Sequence, residues 1–279
     1  MKNIYSTTVK SLFSVFFILG LVSAGIAQQV SIAPSILRFN LDKGGNDSRV
    51  VTITNRSTIR QSMQTSIGDW YRDSLGNHVY LKPGEMKDRS NAAYVSITPS
   101  FIEIEPNETA EVLVSIQIPA ADTVPTQMTW SMLFVQGTVE KTNPFVPENQ
   151  LATQIRESYR FGVHIYNTPS VTNEAKAVLE DFMVVPATEN DTIAKYMLRS
   201  KNDGDVILKC KTYLEITNLG NGETINTDPD EFTVFPNETK TSIFTLPDNL
   251  GAGEFSILGI LDYGDQYPLE AIEKTIKIP

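Results

Sequence analysis

Residues 101–119 read Phe-Ile-Glu-Ile-Glu-Pro-Asn-Glu-Thr-Ala-Glu-Val-Leu-Val-Ser-Ile-Gln-Ile-Pro. Val112, Val114, Ile116 and Ile118 fall on every second position. Period two puts them on one face of a pleated strand, with Leu113, Ser115 and Gln117 on the other. Pro106-Asn107-Glu108-Thr109 supplies a turn, because proline presets φ and asparagine tolerates left-handed backbone. The pattern predicts strand, turn, strand, paired as a hairpin. The same grammar returns 130 residues later, in 231–247, where Pro236-Asn237-Glu238-Thr239 separates Phe232-Thr233-Val234-Phe235 from a segment closing on Leu246-Pro247. Two copies in one context predict two sandwich domains of one kind, each with this hairpin.

The first 27 residues stand apart from that pattern. Lys2 and Lys10 make a basic start, an apolar run follows from Leu12 to Ile26, and small residues end at Ala27. This is the layout of a secretory signal peptide cut between Ala27 and Gln28. The rival reading is an N-terminal membrane anchor, but a run of about 15 residues falls short of the roughly 20 that span a bilayer. No stable membrane span is expected after cleavage. The leader holds two of the 23 basic residues and none of the 33 acidic ones, so the remainder carries a net charge of −12. That balance disfavours nucleic acid as a partner. The one cysteine, Cys210, shares parity with Leu208, Leu214 and Ile216 and is expected to point inward as an inert thiol.

Along the rest of the chain, short β-rich runs alternate with turn residues, and helical periodicity is scarce. The expectation is an all-β protein of two tandem immunoglobulin-like β-sandwich domains, residues 28–168 and 171–279, joined by a short linker around Pro169. Pro34 interrupts a first strand from Val30 to Leu41 and requires an edge or a change of sheet. Trp130 to Val135 is apolar on both parities, as in a central strand buried on both faces. Residues 71–91 read as a long polar loop. Tyr159, Phe161, Val163 and Ile165 share one face of the strand expected to close the first domain.

Chemistry for catalysis is hard to assemble from this sequence. There is no nucleophile elbow, zinc-binding helix or phosphate-cradling glycine loop. The two histidines, His78 and His164, read as unclustered, one in the long loop and one on a strand face opposite the apolar residues. The acidic turns at Asp203/Asp205 and Asp228–Glu231 read as solvated turns rather than calcium loops. No catalytic, metal-binding or cofactor-binding residue is assigned. Of five Asn-x-Ser/Thr sequons, at Asn46, Asn55, Asn107, Asn190 and Asn237, four fall on predicted turns, where Asn, Ser and Thr are expected anyway.

Several of these residues carry a resemblance. Val30-Ser31-Ile32 opens the chain. Val51-Thr52-Ile53-Thr54-Asn55 is a strand ending in Asn. Ile104 to Thr109 forms a proline-containing turn before alternating valines. Trp130 to Val135 is followed by a Pro-rich loop and a strand ending Tyr166-Asn167-Thr168-Pro169. Together they resemble the N-terminal domain of the PapD-like periplasmic pilus-assembly chaperones over roughly residues 30–170. Ile67-Gly68-Asp69-Trp70 and Leu261 to Asp265 resemble divergent Gram-negative members such as those of the Bacteroidetes group.

The resemblance implies a non-enzymatic periplasmic chaperone or adaptor that binds an exported or surface-assembly protein subunit, by edge-strand addition or in the interdomain cleft. The donor stretch falls on Leu151, Thr153, Ile155, Glu157 and Tyr159, with Thr153 and Glu157 interrupting the apolar row. The family's carboxylate-anchoring arginine falls on Ile36 and its lysine on Val163 or His164, so the charged pair is not reproduced. The alternative is a structural or glycan-contacting immunoglobulin-like module at the cell surface.

Overall fold

A computed structural model describes residues 30–86, 88–121, 126–141, 155–172, 174–186, 194–247 and 250–278. The first ten strands are β1 (Val30–Ala33), β2 (Ile36–Phe39), β3 (Asn46–Asn55), β4 (Gln61–Arg72), β5 (His78–Leu81), β6 (Val95–Thr98), β7 (Phe101–Ile104), β8 (Thr109–Gln117), β9 (Thr129–Lys141) and β10 (Ile155–Asn167). They form a four-stranded sheet, β1-β3-β8-β6, facing a six-stranded sheet, β2-β10-β9-β4-β5, with β7 also on β4. The next eight are β11 (Ala177–Val185), β12 (Lys195–Asn202), β13 (Leu208–Asn218), β14 (Thr224–Asn226), β15 (Asp230–Val234), β16 (Thr239–Phe244), β17 (Gly253–Asp262) and β18 (Glu270–Ile278). They form β11-β12-β16 against β14-β13-β17-β18, with β15 on β13. The fold is two tandem immunoglobulin-like sandwiches.

Period two decides the cores. Val51, Ile53, Val112, Val114 and Ile116 from one sheet meet Met63, Ile102, Leu133, Val135, Val163 and Ile165 from the other. Each such aliphatic side chain taken from water contributes roughly 1.5–3 kcal/mol. In the second sandwich Phe182, Leu198, Leu214, Ile216, Phe255 and Ile257 do the same. Pro34 marks the change of sheet: β1 pairs with β3, while β2 pairs in parallel with β10.

The repeated stretch is not a hairpin. β7 pairs with β4 in one sheet, whereas β8 pairs with β3 and β6 in the other. β15 and β16 are likewise split between β13 and β12. Each copy is a corner that carries the chain between sheets. Inward alternation on both arms fits a hairpin and a corner equally, so parity cannot choose between them. What fixes the corner is an asparagine at positive φ, Asn107 at 64° and Asn237 at 65°, a region most residues avoid.

A second, buried asparagine bolts each corner. The Asn107 N–H donates to the Asn55 carbonyl (2.8 Å) and the Asn55 N–H to the Glu108 carbonyl (2.9 Å). Asn55 Nδ2 donates to Ile59 O and Ile104 O at 2.8 and 2.9 Å, and its Oδ1 accepts the Ser57 N–H. Asn202 repeats this pattern with Asn237, Glu238, Val206, Val234 and Gly204. Asn55 is wholly buried, and its sequon serves this lattice.

The 71–91 stretch is more ordered than its polarity suggests. β4 continues to Arg72 and turns back through Asp73–Asn77 into β5, with Trp70 opposite Tyr80 and Arg72 opposite His78. Beyond it, the buried Asp69 carboxylate accepts the Met86 N–H (3.0 Å) and the Ser90 hydroxyl (2.6 Å). The polar residues here satisfy each other internally.

Candidate functional site

Among the described residues, β10 is a long strand left unpaired along much of one side. On one side it pairs with β9 throughout, from Ile155 opposite Lys141 to Asn167 opposite Thr129. On the other side β2 covers only His164 to Asn167, and the His164 N–H donates to Ser35 O at 3.0 Å. Among the described residues nothing pairs with that side of residues 155–163. Nine residues of strand span roughly 30 Å at about 3.3 Å each. β4 supports β9 only from Met132 to Gly137. Residues 138–141 and 155–158 therefore run on as a two-stranded ribbon. Such a ribbon is marginal alone and gains from a further strand.

The residues singled out in the sequence are placed as follows. Ala27, Gln28, Leu151 and Thr153 lie outside the described residues. Ile155 and Glu157 begin β10, opposite Lys141 and Val139. Tyr159 is half-buried and turned into the first core; its hydroxyl donates to Gln61 Oε1 at 2.7 Å. Burial raises the Tyr159 pKa, keeping that donor protonated. Gly137, its cross-strand partner, leaves no room for a Cβ beneath the ring. At the anchor positions, Ile36 stands directly opposite His164, while Val163 points into the core.

The other end of β10 enters the joint between the sandwiches. Phe235, at the second corner, is fully buried with ring centroids 5.0 Å from Trp70, 5.0 Å from Trp130 and 5.8 Å from Tyr166. The two indoles are fixed from behind: Trp130 Nε1 donates to Trp70 O (2.9 Å) and Trp70 Nε1 to Ser131 O (3.3 Å). This explains the doubly apolar stretch in β9. Leu133 and Val135 face the first core, and Trp130, Met132 and Phe134 face the joint cluster. Gly68 makes room for the Phe134 ring; a Cβ there would be 2.6 Å from Cε2.

Polar contacts finish the joint. The Arg72 N–H donates to Glu238 Oε1 (3.0 Å), Arg72 Nη1 to Thr233 O (3.4 Å), and the Thr241 N–H to Ser74 O (2.7 Å). Burial raises the Glu238 pKa, against the pull of these hydrogen bonds and the Arg72 charge. Beside the joint, a cavity of about 540 Å³ opens between Arg72 and the outer face of β13, with Lys211 held by Asp262 at 3.0 Å.

The histidines are not separate, contrary to the sequence expectation. His164 lies 4.6 Å from Trp70, His78 lies 4.9 Å from it, and the two imidazoles are 5.7 Å apart. The β4–β5 pairing, invisible in a stretch read as loop, brings His78 here. Cys210 is buried, and burial pushes its thiol up to about 12. Asp203 is engaged by Lys176 (2.8 Å) and Lys201 (3.3 Å). Among the described residues, no three His, Cys, Asp or Glu side chains converge as a metal site.

Phe235 escaped sequence reasoning, yet it left a signal. Val234 is the inward residue of β15, so Phe235 breaks the alternation just before the proline, where the first copy has Glu105.

No family model matches this chain, and no curated protein matches it. Solved structures do. One is a chain of the chaperone–tip adhesin complex of CFA/I fimbriae, with TM-score 0.45 and 11% identity, covering 89% of this chain and 98% of that one. A chain of the CsuC–CsuE chaperone–tip adhesion subunit complex of Acinetobacter baumannii gives 0.42 and 13%, over 88% and 98%. The CupB2 chaperone of Pseudomonas aeruginosa gives 0.41 and 14%, over 88% and 100%. The likeness is to fimbrial chaperone structures. It is a likeness of fold. No helix among the described residues is long and apolar enough to cross a membrane.

Proposed function

We propose that the chain is a non-enzymatic periplasmic chaperone or adaptor that holds an exported protein by strand addition. The open side of β10, residues 155–163, carries the reading. An incoming strand pairs there and ends where β2 begins, at Ser35–Ile36. Backbone hydrogen bonds provide the affinity, and side chains alternating along the strand provide the selection. The organisation proposed with it is a leader through Ala27, a strand-adding domain to residue 168, and a second sandwich from 171 that braces it. Tyr159 serves as a core plug that stiffens the ribbon, and Ile155 and Glu157 belong to the stretch that takes the added strand.

The test is a photocrosslinking side chain placed at Ile155 of the mature protein, with Val50 on the opposite sheet as control position. Crosslinked products from the native envelope are identified by mass spectrometry. One exported protein captured at 155, absent at 50 and lost on adding Ile155→Asp to a neighbouring-position probe, supports the reading. Equal capture at both positions, or none at 155, overturns strand addition at this edge.

A further inference from the structure

His164 is an ill-placed group for a merely structural role. Its ring rests on Trp70 at 4.6 Å and stacks near Tyr166 at 5.8 Å. Its Nδ1 is out of solvent and has no hydrogen-bond partner. Protonation there creates a charged N–H without water or acceptor, which is costly. The charged and titratable groups around it offer little relief. Arg72 comes from β4 and His78 from β5. Arg38 of β2 sits 5.3 Å over the Tyr166 ring. Tyr166 is kept neutral, its pKa pushed up to about 12 by burial. Glu238 acts on the neighbouring Tyr166, but its carboxylate is already committed to the Arg72 and Phe235 N–H groups.

Arg72 links this cluster to the second sandwich. It lies 5.8 Å over Phe235 and donates to Thr233 O and, through its backbone, to Glu238. Phe235 in turn seats against Trp70, the ring on which both histidines rest. Two new positive charges would therefore appear beside the residue that holds the units together.

We propose that the joint between the two sandwiches is an acid-sensitive device, in which proton uptake by His164 and His78 releases Phe235 and Arg72 and lets the units separate.

The sign follows from the shifts. His164 is lowered to about 4, by burial first and then by His78 and Arg72; His78 is lowered by burial and Arg72. The closed joint is fully favoured above the ordinary imidazole value of about 6.5 and loses that advantage as pH falls toward 4. His164 alone shifts the open-to-closed ratio tenfold per pH unit, to a limit of about 300-fold. The Trp70 face attracts a cation, but the net downward shift means burial and like charge win. Glu238 acts oppositely: with its pKa raised by burial, the closed form takes the proton first as pH falls through the carboxylate range. The histidine window lies higher, so the weakening of the closed joint begins below about pH 6.5 and grows as pH falls.

The chain has two tryptophans, and both are in the joint. We would record tryptophan emission and the X-ray scattering radius of the mature protein from pH 7.5 to 5.0, with far-ultraviolet circular dichroism to verify intact strands. Expected for the wild type is a reversible red shift with a larger radius. His78→Gln removes one repelling charge and should reduce the opening at pH 5.0. H78Q/H164Q should stay closed throughout. A wild-type radius that does not change, or equal opening in His78→Gln and wild type, overturns the proposal.

Discussion

Replacing Phe235 with alanine tests the joint directly. The side chain is fully buried among Trp70, Trp130 and Tyr166. Phe→Ala at a core site costs about 3–5 kcal/mol, of which aromatic contacts supply roughly 0.5–1.5 per favourable pair. Nearly all its ring contacts cross to the first sandwich, so the loss should fall on coupling between the units and spare each unit's own core. Urea unfolding should change from one transition to two, with the first sandwich retaining its midpoint. Native emission should shift red, because Trp70 and Trp130, almost wholly buried in the intact joint, lose their cover. Val234→Ala, one residue earlier but inside the second core, is the control: it should lower the second midpoint and leave the emission alone. If F235A loses less than about 1 kcal/mol, or leaves one transition and unchanged emission, Phe235 is a surface accessory and the joint rests elsewhere.

Other outcomes follow from particular side chains. Asn55→Ala and Asn202→Ala each strand buried carbonyls at a corner, and each should cost about 2–4 kcal/mol in urea unfolding, with D substitutions no milder. Cys210, with its thiol pushed up to about 12, should resist alkylation at pH 8 until the chain is unfolded. Gly68→Ala sets a Cβ 2.6 Å from Phe134 and 3.0 Å from Leu81 O; overpacking of about 1–3 kcal/mol should appear as a lower thermal midpoint.

Much of this architecture was legible because period two is a strong signal. Val112, Val114, Ile116 and Ile118 are all buried while Leu113 is exposed. Pro34 announced the change of sheet, and the two-sided apolar run in β9 announced a strand covered on both faces. What was not legible is pairing. A backbone turn reads the same whether its arms share a sheet or leave for different ones, so the corners looked like hairpins. The 71–91 stretch looked like a loop because its polar side chains, Asp69 partners among them, bond inside the protein rather than to water. The histidine pair was hidden for the same reason: β5 had to be placed on β4 before His78 could reach Trp70. At the candidate edge, parity placed Tyr159 with Ile155 and Glu157, but only the packing revealed that its hydroxyl is tied to Gln61.

The two corners show how little sequence change separates an end from a joint. Both are held by a buried asparagine and a second asparagine at positive φ, and both present one residue just before the proline. In the first copy that residue is Glu105, exposed and 3.1 Å from Arg60. Surface ion pairs of this kind contribute about 0–1 kcal/mol, so this corner remains a free end. In the second it is Phe235, and the corner becomes the plug of an aromatic socket built from β4, β9 and β10. The socket also clamps one end of β10, through Tyr166 and His164, while among the described residues nothing pairs with one side of 155–163. A strand clamped at one end holds its unpaired backbone groups in a fixed place. Loosening the socket should therefore be felt along the edge, and the reason lies in β10 itself, which belongs to both.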